Sequence, residues 1–67
     1  MQLVESSALA AIGYDRASAE LYVEFIDGDR YAYAQVPYVI WRALQAADSK
    51  GGFVNRVLKP HFPYRRV

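Results

Sequence analysis

Two stretches of this chain repeat with a period of two, the first setting apolar residues among small ones and the second alternating apolar with polar, and a helical repeat follows them. Ala10, Ile12 and Tyr14 alternate with Ala11 and Gly13, which fits a short strand within 7–14. Asp15-Arg16-Ala17-Ser18 is polar and reads as a turn. Leu21, Val23 and Phe25 then alternate with Glu20, Tyr22 and Glu24. That period of two sets one face on a core and the other in water. Asp27-Gly28 lies between apolar runs, a strong hairpin signal. Residues 30–36 continue as a strand, with Tyr31, Tyr33 and Gln35 on one face and Ala32, Ala34 and Val36 on the other. Three strands with short connections predict an antiparallel meander.

Pro37 changes the pattern, because its fixed φ and missing N–H suit a helix start. The helix is predicted to run to about residue 47. Val36, Val39, Ile40, Ala43, Leu44 and Ala47 share one arc of the wheel, the predicted sheet-facing stripe. Tyr38, Trp41, Arg42 and Gln45 fall opposite. Residues 48–52 break the helix, and Gly51-Gly52 permits a tight reversal at positive φ. A short second helix is predicted over 53–59, with Phe53, Val54, Val57 and Leu58 inward and Asn55, Arg56 and Lys59 outward. Pro60 ends it, and 61–67 reads as an extended tail pinned by Phe62 or Tyr64. The expected fold is α+β: a three-stranded antiparallel β-meander packed against one amphipathic helix, then a short second helix and an extended C-terminal tail.

Length limits what such a chain can do. Its 67 residues make a single domain, 1–67, that buries only about 60% of its unfolded surface. It therefore needs an idealised fold or a partner subunit. With no cysteine there is neither a disulfide nor a thiolate metal site, and His61 has no acid near it in sequence. No metal or cofactor is expected. The apolar stretch 8–14 is far short of the roughly 20 residues of a membrane span, and no basic segment precedes it. A soluble cytoplasmic protein is expected.

Charge separates along the chain. Residues 1–33 hold the acids Glu5, Asp15, Glu20, Glu24, Asp27 and Asp29 against Arg16 and Arg30. Residues 34–67 hold the bases Arg42, Lys50, Arg56, Lys59, Arg65 and Arg66 against Asp48. A basic half rich in aromatics points to a polyanion as partner, and an acidic half to self-association. Ordinary solubility explains the same split.

Ile12-Gly13-Tyr14-Asp15, Tyr31-Ala32-Tyr33, Val36-Pro37, Ser49-Lys50-Gly51, Phe53-Val54-Asn55 and Phe62-Pro63-Tyr64-Arg65-Arg66 together resemble the KTSC domain. That domain is named for its place at the C-terminus of some lysyl-tRNA synthetases. The resemblance runs from about Ser6 to Val67. It implies a non-catalytic domain and nucleic acid, RNA in particular, as the partner.

Lys50, Arg56, Lys59, Arg65 and Arg66 are the candidate phosphate contacts, since lysine and arginine hold phosphates without reading sequence. Their alternative is a solvated face, with arginines paired to carboxylates. Tyr31 and Tyr33 are candidates for stacking on bases. Aromatics on strands mostly bury area, which favours the core. The small Ala32, Ala34 and Val36 opposite instead suit helix packing and leave the tyrosines exposed or at an interface. Tyr38 and Trp41, one helical turn apart on a polar face, are the candidate homodimer contact; packing of the tail over Trp41 is the alternative. Ser49-Lys50-Gly51-Gly52 reads first as a helix connection, compatible with a weak phosphate contact. No nucleophile and base stand together, so a hydrolase is disfavoured. The leading expectation is a nucleic-acid-binding module, RNA before DNA. A protein-interaction module working through Tyr38, Trp41 and the strand tyrosines is the second.

Overall fold

A computed structural model describes residues 1–67. The two alternating stretches form β2 (Leu9–Asp15) and β3 (Glu20–Phe25), and β4 (Arg30–Tyr33) follows. Gly28 turns the β3–β4 hairpin at φ 98°, and the Asp27 carboxylate accepts from the Asp29 N–H at 3.1 Å. Two short strands flank this meander, β1 (Gln2–Leu3) and β5 (Tyr64–Arg66). The sheet is five-stranded and antiparallel, in the order β1-β2-β3-β4-β5.

This corrects the three-stranded meander with one main helix, although the α+β character stands. β1 and β5 have two and three residues, too few to display a period. β5 finds its partner far away in sequence, Tyr31 opposite Arg66 and Tyr33 opposite Tyr64. The expected tail is thus an edge strand, and Tyr64 pins it by packing on Tyr31 and Tyr33 at 5.5 Å between ring centroids.

Register sorts the sheet into two faces. Residues directly opposite one another point the same way. Tyr14, Leu21, Tyr33 and Tyr64 make one row and Ile12, Val23 and Tyr31 a second, both towards the helices. Gly13, Tyr22, Ala32 and Arg65 make a row on the opposite, open face. The core joins Leu9, Ile12, Leu21, Val23, Tyr33 and Val36 to Leu44, Val54 and Leu58 from the helical layer.

β4 stops three residues before its predicted end. Gln35 takes φ 59°, a left-handed conformation that breaks the alternation and swings Val36 into the core at 0% exposure. The Val36 N–H donates to Ala19 O, and the Tyr14 hydroxyl donates to Val36 O at 2.6 Å. A side chain at positive φ costs about 1–2 kcal/mol, and glycine loses about 0.5–1 kcal/mol more chain entropy on folding. Gln35→Gly should therefore stabilise by about 0.5 kcal/mol and raise Tm by about 2–4 °C. A thermal melt with Tm unchanged or lower would contradict this.

The first helix, α1 (Tyr38–Ala46), is rotated from its expected setting. Leu44 is buried and Ile40 and Trp41 are half-buried against the core, whereas Val39 is 68% exposed and Ala43 is exposed. The indole offers more area than a valine or alanine and finds a ring to stack on, so it takes the inward position.

The second helix is continuous over 50–61 rather than 53–59. An α-turn at Lys50–Phe53 leads into a π-helical stretch, Val54–Leu58, and a closing turn, Lys59–His61. Gly51 and Gly52 lie in its first turn and not at positive φ. Ser49 caps that turn, its Oγ accepting from the Gly52 N–H at 3.1 Å. A Cβ on Gly51 would sit 3.1 Å from the Ala8 Cβ, so the glycine is there for close approach to the bend that leads into β2. Pro60 does not end the helix. Its ring would strike the carbonyl four residues back in a regular α-helix, and the wider turn, with the Lys59 N–H reaching Val54 O, accommodates it. No helix is long and apolar enough to cross a membrane.

Candidate nucleic-acid interface

Arg65 and Arg66, the tail cations, are held by carboxylates. On the open sheet face Arg65 Nη2 donates to Glu20 at 3.2 Å, and beside it Arg30 Nε donates to Glu24 at 2.9 Å. Arg66 Nη2 donates to Asp29 at 2.5 Å, closing the sheet edge onto the β3–β4 turn. Glu20 also accepts from the Tyr22 hydroxyl at 2.9 Å, and this bond, before desolvation and the carboxylate's charge, raises the Tyr22 pKa. Three arginines thus neutralise three carboxylates along the sheet. Such exposed pairs contribute little stability, but they set where net charge remains.

It remains on the helices. Residues 37–61 carry Arg42, Lys50, Arg56 and Lys59 against Asp48 alone, and none of the four makes an ion pair. Both helices send residues into one core against one sheet face, so their outer sides look away from the sheet together. Arg42, Arg56 and Lys59, all on this layer, are exposed. The Lys59 ammonium lies 5.8 Å from the Phe25 ring centroid. Lys50 is half-buried, its Nζ donating to Ala47 O at 3.2 Å and so satisfying the carbonyl end of α1. Of the expected phosphate contacts, Arg56 and Lys59 stand free, Lys50 is partly occupied, and Arg65 and Arg66 are committed to acids. Arg42 was missing from that set, although its outward place on the wheel was legible.

Tyr31 and Tyr33 lie on the covered face. Tyr33 is 1% exposed, which removes it as a stacking platform for bases. Desolvation first, then the neighbouring Tyr64 and Tyr31, raises its pKa, so it stays neutral at ordinary pH. Tyr31 is half-buried, edge-on to Phe25 and Tyr64 at 5.6 and 5.5 Å. Ala32 and Ala34 are small because they floor a shallow dent of about 180 Å³ on the open face, lined by Glu20, Pro63, Tyr64 and Arg65. That volume falls below the roughly 300–1,000 Å³ of small-molecule sites.

Tyr38 and Trp41 meet within one chain. Trp41 stacks on Tyr14 at 5.7 Å and 11° between planes, and Tyr38 tilts onto the same tyrosine at 6.1 Å. The Arg16 guanidinium lies 4.0 Å from the Tyr38 ring centroid. The reason for expecting a dimer, two aromatics stranded on a polar face, is therefore gone for Trp41. Tyr14, not the tail, covers it.

Comparison with known proteins fits this architecture. The model of the KTSC domain matches residues 5–62. A protein of Tsukamurella paurometabola is 48% identical over 62 residues, spanning 92% of each chain. A lysine–tRNA ligase of a Nostoc species is 32% identical over 63 residues, which are 94% of this chain and 11% of the ligase. The crystal structure of a KTSC domain protein from Yersinia pestis superposes with a TM-score of 0.92 at 36% identity, covering 98% of this chain and 93% of that one. By sequence and by fold, the chain belongs to the KTSC domain family.

Proposed function

We propose that this domain is a non-catalytic, cytoplasmic nucleic-acid-binding module, for RNA before DNA, that holds phosphates on the outer side of its helical layer. The observation that carries this reading is the sorting of charge: the sheet's arginines are matched with carboxylates, while Arg42, Arg56 and Lys59 are exposed and make no ion pair. Unpaired cations on one side of a small domain attract a polyanion and release its counterions on binding. RNA is favoured because a domain of this kind forms part of ligases named for a tRNA substrate. Phosphate contacts alone do not read sequence, so binding of moderate affinity and broad sequence tolerance is expected.

Salt dependence tests the reading. Three to four phosphate contacts on single-stranded RNA predict a slope of log K against log salt of about −2 to −3. A short fluorescent RNA titrated at several salt concentrations measures it. Absence of binding at low salt, or a slope near zero, would overturn the proposal and favour a protein partner.

A further inference from the structure

The β2–β3 turn and the start of α1 bring together an arrangement that phosphate binding does not use. Arg16, exposed on the turn, lays its guanidinium 4.0 Å from the centroid of the Tyr38 ring. Arg16 makes no ion pair, so nothing but the ring holds it there. The tyrosine is 37% exposed and is backed by Tyr14 at 6.1 Å, which itself stacks on Trp41 at 5.7 Å. The Tyr14 hydroxyl is tied to Val36 O at 2.6 Å, so the backing rings are anchored to the chain just before the helix. Arg42 lies four residues after Tyr38 on α1, on the same side of the helix, and is exposed.

We infer that Arg16 and Tyr38 clamp one unpaired base of a single-stranded nucleic acid, with Arg42 on the adjoining phosphate. This inference rests on the nucleic-acid-binding reading and names its substrate as single-stranded. A guanidinium is a flat, delocalised cation that stacks on aromatic faces, and it stacks on nucleobases as well. A base entering between the ring and the guanidinium replaces their one direct contact with two, ring on base and base on guanidinium. The free side chain of Arg16 on an exposed turn can swing to admit it, whereas the Tyr14–Trp41 stack behind Tyr38 fixes the opposite wall. A duplex offers no such base, because its bases are stacked and paired. The clamp therefore selects for loops, ends and single strands.

The test compares two ribose-phosphate strands of equal length at one moderate salt concentration, an oligoadenylate and an abasic strand carrying the same phosphates. Trp41, the chain's one tryptophan, reports through its fluorescence, since it lies one ring away from Tyr38. The wild-type domain should bind the oligoadenylate about ten-fold more tightly than the abasic strand. Tyr38→Leu and Arg16→Ala should each erase most of that difference, so that the two strands bind nearly alike, with Arg16→Ala also lowering both affinities modestly through its lost charge. Tyr38→Phe, which keeps the ring, should retain it. Arg16 lies on an exposed turn, so its variant keeps the test alive should Tyr38→Leu fail to fold. Equal binding of both strands by the wild type, or a full difference surviving in Arg16→Ala and Tyr38→Leu, overturns the clamp and leaves the phosphate-binding reading intact. Binding of neither strand, there and again when the salt is lowered, overturns both.

Discussion

Tyr33→Ala should leave the domain largely unfolded at 25 °C. Tyr33 is 1% exposed, stands in the row with Tyr14, Leu21 and Tyr64, and belongs to the single core under both helices. Removing a buried aromatic ring costs about 3–5 kcal/mol, through lost burial and the cavity left behind. The single core of a chain of 67 residues rarely supplies more than about 3–5 kcal/mol of net stability. The loss is comparable with everything the domain has, and no disulfide is present to offset it. Circular dichroism against temperature measures this directly. A cooperative melt within a few degrees of the wild type would mean that this tyrosine faces solvent and that the assignment of sheet faces is wrong.

Replacing Arg42, Arg56 and Lys59 together by alanine should weaken binding to a short RNA roughly 50-fold at 0.15 M salt, counting about 0.7 of a counterion per phosphate contact. Replacing Arg65 and Arg66 should weaken it less than about five-fold, because those side chains already answer Glu20 and Asp29 in exposed pairs. The two variants remove similar charge from different places. Their order therefore tests location, which a basic net charge by itself does not. The triple variant should also flatten the salt slope by about 2. The reverse order, with the tail pair dominant, would move the interface to the sheet edge.

The parts of the fold that sequence made legible are those with a local period or a local turn. Leu21, Val23 and Phe25 repeat every second residue, and Asp27-Gly28 demands one kind of turn, so β3 and its hairpin could be read directly. β5 could not be read that way, since its pairing depends on Tyr31 and Tyr33, some thirty residues earlier in the chain, and three residues between a proline and the terminus show no period. The rotation of α1 was hidden for a related reason. A wheel ranks Val39 and Trp41 by polarity alone, whereas their actual order follows from Tyr14 waiting on β2 to stack with the indole.

The same distinction governs the candidate site. The surplus of bases after residue 33 was plain, and Arg56 and Lys59 fall on the outward side of the second helix as their spacing required. Which bases stay free was not plain, because it depends on carboxylates brought near by the sheet. Glu20 reaches Arg65 across 45 positions and Asp29 reaches Arg66 across 37. Gly51 and Gly52 misled in another way. A glycine pair commonly signals positive φ, but here the first of them lets a helix start against Ala8.

The most direct test of the central claim is a map of backbone amide shifts as isotope-labelled protein is titrated with short single-stranded RNA at low salt. The account predicts shifts concentrated at Arg42, Arg56, Lys59 and their neighbours on the outer side of the two helices, receding as salt is raised, with the open sheet face around Tyr22 and Ala32 unmoved. Shifts confined to that open face, or none anywhere at low salt, would contradict it.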